Sequence, residues 1–183
     1  MSRIVTPATV DAAPEASRPL LEAVGKMLGV VPNLFRMVSN SSAALEGYVG
    51  LIGALAKGTL PAATHERIAL AVAEFNECDY CLSAHSYLGK NVAKLDDAEI
   101  AANRSGSSKD LKADAALRFA RSVLTSRGRV GDAEVRAIKS AGYTDAQIVE
   151  IVQHVALNIW TNYVNNVAQT TIDFPVVGAR HVA

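Results

Sequence analysis

Residues 61–89 read PAATHERIALAVAEFNECDYCLSAHSYLG, and this stretch decides both the fold and where chemistry can reside. Ala62 to about Phe75 carries Ile68, Leu70, Ala71 and Val72 with no glycine or proline, and Pro61 suits its first turn, which predicts a helix. Another helix is expected from around Asp79 to near Gly89. Cys78 and Cys81 are the only cysteines of the chain, and His85 follows one turn later. At roughly 100° per residue, Cys81 lies about 60° from Cys78 and His85 about 40° from Cys81. Two thiols and an imidazole therefore share one narrow face, which is suited to redox chemistry.

Whether Glu66 joins them depends on a bend. In one unbroken helix Glu66 would stand about 18 Å along the axis from Cys78. A hairpin-like bend between Asn76 and Asp79 instead returns Glu66 beside residues in the mid-eighties, within hydrogen-bonding reach of His85.

Working outward, the first 13 residues, with Pro7 and small side chains, read as an extended arm before Pro14. Leu20, Leu21, Val24, Met27 and Leu28 recur at helical spacing up to Gly29, and a second short helix begins around Phe35 and Met37. Ser41 or Ser42 can cap a third helix with the stripe Leu45, Val49, Ile52 and Leu55, ending at Gly58. Beyond residue 89, helices are expected from Asp96 or Asp97, from Leu111 to Thr125 and from Asp132 to Ser140. A long one capped by Thr144 runs from Asp145 to about Thr170. Period-two alternation is nearly absent, so the fold class is all-α, a compact multi-helix bundle. Ile68, Val72, Ala73 and Tyr80 echo Ile151, Val155, Ala156 and Tyr163 at an offset of 83 positions, which suggests an internally duplicated helical hairpin.

A chain of 183 residues is expected to form a single domain over 1–183, with a full core. Half of its residues are apolar, a surplus that points to a subunit interface. Eighteen basic and eighteen acidic side chains balance, with no cluster to meet a run of phosphates, so nucleic acid is not an expected partner. No signal peptide and no run near 18 apolar residues is visible, so a soluble, cytoplasmic protein without a membrane partner is expected. In a reducing cytosol a Cys-x-x-Cys pair is catalytic or metal-binding more readily than a permanent staple.

A peroxide-reducing cysteine must be a thiolate, and an ordinary thiol is only a few per cent ionised at neutral pH. His85 is placed to share the proton of Cys81, and Cys78 can attack the sulfenic acid left by peroxide cleavage, giving a Cys78–Cys81 disulfide. Unpaired N–H groups of a helix starting near Asp79 would favour the thiolate as well. Other readings stand beside this one. Zinc could take Cys78, Cys81 and His85 with His65 or Glu66 as fourth ligand. His85 could simply fill a helix contact, Glu66 could be a surface charge, and the cysteines could be inert packing. His154, Asn158, Trp160 and Asn162 read as an interface or pocket rim, and Trp160, Tyr163 and Phe174 as packing residues.

The spacing Glu66, Cys78, Cys81, His85 resembles the signature of alkylhydroperoxidase D proteins, within the carboxymuconolactone decarboxylase-like superfamily. The opening APEASRPLLE at 13–22, the turn GVVPN at 29–33 and the tail VALNIWTNYVNNVAQT at 155–170 resemble its uncharacterised peroxidase-related branch. The resemblance implies an all-helical fold assembling as trimers or hexamers, and thiol-dependent reduction of hydroperoxides with no cofactor and no metal. Cys81 would be the peroxidatic thiol, Cys78 the resolving thiol, and Glu66 with His85 the proton relay, with an external dithiol or reductase as electron donor. Tyr80 stands where alkylhydroperoxidase D carries a second histidine. A phenol with pKa near 10 donates a hydrogen bond but is a poor base at pH 7, so Tyr80 is expected to line the substrate site or pack beside it. The rivals are a decarboxylase or isomerase of a small acid, with His85 and Glu66 as acid and base, and a metal-holding or binding module without catalysis.

Overall fold

The computed structural model of the protein describes residues 2–180; Met1 and residues 181–183 of the expected single domain lie outside the described residues. Among the described residues there are nine α-helices, one 3-10 turn at Glu15–Ser17, and no strand. The helices are α1 (Arg18–Leu28), α2 (Asn33–Val38), α3 (Ser42–Leu55), α4 (Ala62–Phe75) and α5 (Asp79–Asn91). They continue with α6 (Asp97–Arg104), α7 (Leu111–Ser126), α8 (Asp132–Ser140) and α9 (Asp145–Ala168). The all-α expectation holds, and the helix boundaries fall within a few residues of those read from capping residues, glycines and prolines.

The helices group into two compact units, Met1–Lys57 with Val164–Asp173, and Gly58–Tyr163 with Phe174–Ala183. In the first, α1 stops at Gly29, whose φ of 76° is the left-handed geometry that glycine adopts without steric cost. Leu21, Val24, Phe35, Val38 and Leu45 are buried there, and the Phe35 and Tyr48 rings pack with centroids 5.1 Å apart. Ser41 caps α3 by accepting the Ala44 N–H at 3.2 Å.

The second unit holds the larger core. Ile68 and Val72 of α4, Leu117 and Phe119 of α7, Ile138 of α8, and Ile151 and Val155 of α9 close into one apolar cluster. Ile68, Val72, Ile151 and Val155, four of the positions related by the 83-residue offset, therefore meet in the same core. A capping box opens α9: Thr144 Oγ1 accepts the Gln147 N–H, and Gln147 Oε1 accepts the Thr144 N–H, both at 3.2 Å.

Helix α6 is short and rich in polar residues, yet it turns one charged side chain inward. Glu99 is 2% exposed and accepts hydrogen bonds from Arg67 Nε at 2.8 Å, Asn103 Nδ2 at 3.0 Å, Lys109 N at 3.1 Å and the Ser108 hydroxyl. Burial alone would raise its pKa, but these donors outweigh it and hold the carboxyl at about 2. The knot ties α4 to α6 and to the loop before α7.

Candidate active site

The bend between α4 and α5 is the feature on which the site depends. Helix α4 ends at Phe75, Glu77 takes a left-handed φ of 51°, and α5 opens at Asp79. The Cys78 N–H reaches back to the Ala73 carbonyl at 3.0 Å, which fixes the reversal. A buried carboxamide supports it from α9: Asn162 Oδ1 accepts from Asn76 Nδ2 at 2.9 Å, and Asn162 is fully buried.

Because the chain turns here, Glu66 on α4 meets His85 on α5, and His85 Nδ1 lies 2.8 Å from Glu66 Oε2. The pair is partly open to solvent, with side chains 23% and 20% exposed. A carboxylate accepting the Nδ1 proton fixes the imidazole tautomer and leaves Nε2 as a lone-pair base. His85 follows Cys81 by one helical turn, about 6 Å of rise.

Cys78 and Cys81 are joined as a disulfide, their Cα atoms 5.3 Å apart. Cys78 caps the N-terminus of α5, and its sulfur accepts the Cys81 N–H at 3.3 Å. An N–H at the positive end of a helix favours a sulfur anion, which is the support that the start of α5 gives to Cys78. Both cysteines are deeply buried, at 0% and 3% exposure. The sulfurs therefore do not face solvent. The bend tucks the helix N-terminus inward, and the partly exposed end of the constellation is the His85–Glu66 pair.

Tyr80 is 5% exposed and meets Phe174 edge-to-face, with centroids 5.9 Å apart. His65 does not join the thiols: its ring stacks on His154 at 4.1 Å. Thus the donors of the zinc reading are dispersed, and among the described residues no group of three or more His, Cys, Asp or Glu is placed to hold a metal ion. His154, Asn158 and Asn162, expected at an interface or rim, are buried instead, at 5%, 5% and 0% exposure. The signal that could have found them is their register, since they share a face of α9 with the core residues Ile151 and Val155.

Residues 42–124 match the model of the carboxymuconolactone decarboxylase family. None of the curated proteins matches the chain. Among solved structures, an uncharacterised peroxidase-related protein from Ralstonia eutropha JMP134, described as having an alkylhydroperoxidase AhpD core, superposes with a TM-score of 0.83 at 23% identity, over 94% of this chain and 92% of that one. An uncharacterised peroxidase-related protein from Silicibacter sp. TM1040 gives 0.79 at 21% identity, over 93% and 94%. The debrominase Bmp8, solved as a cysteine-to-alanine variant with 2,3,4-tribromopyrrole, gives 0.76 at 20% identity, over 94% and 93%. At these identities the likeness establishes the fold. The family match spans α3 to α7, the part of the chain that holds Glu66, Cys78, Cys81 and His85.

Proposed function

We propose that the protein is a thiol-dependent oxidoreductase that reduces hydroperoxides through Cys81, Cys78, His85 and Glu66. The observation that supports this most is the His85–Glu66 hydrogen bond of 2.8 Å, one helical turn from a closed Cys78–Cys81 pair. It supplies an oriented base next to a dithiol.

In the proposed cycle His85 Nε2 takes the Cys81 proton, and the thiolate attacks the peroxide O–O bond. The sulfur gains the terminal oxygen as sulfenic acid, and the departing alkoxide takes the proton from His85 and leaves as alcohol. Cys78 then attacks the sulfenic sulfur as thiolate, hydroxide leaves and is protonated to water, and the disulfide closes. An external dithiol or reductase returns two electrons and two protons. Tyr80 forms part of the wall beside the pair. The same reading takes the protein as cytoplasmic and homo-oligomeric, a trimer or hexamer, with no nucleic-acid or membrane partner; no helix among the described residues is long and apolar enough to cross a membrane.

A second reading rests on the debrominase among the structural neighbours. A dithiol that delivers two electrons can replace carbon-bound bromine by hydrogen, releasing bromide and closing the same disulfide. Peroxide and a bromopyrrole offered to the reduced protein separate the two. For the primary reading, Cys81→Ser should abolish peroxide consumption while Cys78→Ser completes one sulfenate-forming turnover, trapped by dimedone and read by mass spectrometry. Unchanged turnover in Cys81→Ser would refute the assignment.

A further inference from the structure

Residues 174–180 form no helix or strand, yet they are fastened along α5 by the two residues that separate the cysteines. Asp79 Oδ1 accepts the Ala179 N–H at 2.8 Å, and Tyr80 takes the Phe174 ring edge-to-face at 5.9 Å. One turn further, Ser83 Oγ accepts the Val177 N–H at 2.9 Å while donating to the Asp79 carbonyl at 2.7 Å. Phe174 also reaches the Tyr87 ring, with centroids 5.9 Å apart. At its far end the strap is held by Glu74 Oε1, which accepts the Arg180 N–H at 2.7 Å, and by Arg104 Nη2, which donates to the Gly178 carbonyl at 2.7 Å.

We infer that residues 174–180 form a strap that gates reductive access to the Cys78–Cys81 disulfide, a regulation that rests on the dithiol reading above. Thiol–disulfide exchange requires an incoming thiolate to reach a disulfide sulfur, so its rate depends on access. Cys78 and Cys81 are 0% and 3% exposed, and the turn that buries them is pinned on its outer side by the strap. The strap itself lies at the surface, with Val176 75% exposed, and clefts of about 370 and 500 Å³ flank it, the first lined in part by Glu74, Arg104 and Arg180, the second by Tyr87, Pro175 and Val177. An exposed, non-helical segment held by a few hydrogen bonds opens at a lower cost than the helices beneath it. When it lifts, Asp79 and Tyr80 lose their outer partners and the first turn of α5 is free to unwind. The disulfide then accepts two electrons and two protons from a dithiol, which leaves as its own disulfide.

The test is the rate at which dithiothreitol reduces the disulfide in peroxide-treated full-length protein, followed by quenched alkylation and mass spectrometry. Ala179→Pro removes the N–H given to Asp79, and Phe174→Ala removes the ring against Tyr80. Each is expected to speed reduction about tenfold, with a thermal midpoint close to that of the unmodified chain. Phe174→Leu, which keeps apolar volume, serves where the alanine variant unfolds and is expected to fall between. Val176→Ala, at an exposed strap position, is expected to leave the rate unchanged. A disulfide that forms but is reduced at the same rate in all four variants overturns the gate and leaves the dithiol reading standing. Absence of any Cys78–Cys81 bond after peroxide treatment overturns both.

Discussion

His154 is buried against His65, and burial, reinforced by repulsion from that neighbouring imidazole, lowers its pKa from 6.5 to about 4. It folds neutral and resists protonation more than it does in the unfolded chain. A depressed histidine gives stability that is fully present above about pH 6.5 and is lost as the pH falls through about 4, here on the order of 3 kcal/mol. Glu99 acts in the next window down: held at about 2 against an ordinary 4.5, its contribution is present above pH 4.5 and is lost as the pH falls through about 2. Urea unfolding midpoints measured against pH should therefore decline in two stages, and His154→Phe should flatten the upper one only. On the proposed mechanism, His85→Ala is expected to slow peroxide consumption by about 100-fold or more, the usual scale of a lost general base. Glu66→Gln should lower the rate less, since it retains a hydrogen-bond acceptor but loses the charge that stabilises the imidazolium. Initial rates on hydrogen peroxide under saturating dithiol measure both. Cys78, Cys81 and His85 were legible as a group because helical spacing fixes which side chains share a face, whereas Glu66 comes to His85 only through the bend between α4 and α5. The stacked His65–His154 pair was not, because it joins positions 89 apart whose meeting is set by packing between α4 and α9.

The α4–α5 hairpin brings together the four residues of the proposed site, and its shape follows from how the backbone leaves α4. Ala62–Phe75 was readable from its uninterrupted apolar pattern, and α5 from Asp79 in its first turn. The sequence could not say whether the chain bends between them, since neither glycine nor proline marks the place and Glu77 takes the left-handed conformation despite its side chain. What stabilises the bend is non-local: Asn162 of α9 grips Asn76 from inside the core. Asn162→Ala is expected to cost about 1–3 kcal/mol, the scale of a broken buried hydrogen bond, in urea unfolding. It should also slow disulfide closure, because the cap that sets the distance between the cysteines loses its support. Glu99 is a similar case. Its helix reads as polar, yet the carboxylate faces inward to partners supplied by two other elements, and no local pattern announces that.

At the scale of the whole molecule, the outer side of α9 carries the large apolar residues Val149, Val152 and Tyr163, 65%, 41% and 57% exposed, while its inner side is buried. This is where part of the apolar surplus read from composition resides. Association through such a face is expected to give a sedimenting species larger than one chain, and Val152→Glu should shift it toward the monomer, measured by analytical ultracentrifugation. The all-helical class and the order of the elements were legible throughout, because caps, glycines and prolines punctuate nearly every helix. The depth at which the sulfurs lie was not, since burial belongs to the packed molecule and not to the pattern of any one helix. The central claim is that this buried pair passes two electrons to a peroxide. The most direct measurement titrates fully reduced protein with hydrogen peroxide under anaerobic conditions and counts free thiols and peptide masses. The expected result is loss of both thiols for each peroxide consumed, with Cys78 and Cys81 recovered in a single disulfide-linked peptide. Peroxide consumed while both thiols remain alkylatable, or thiols lost only to oxidised monomeric forms with no link between them, would contradict it.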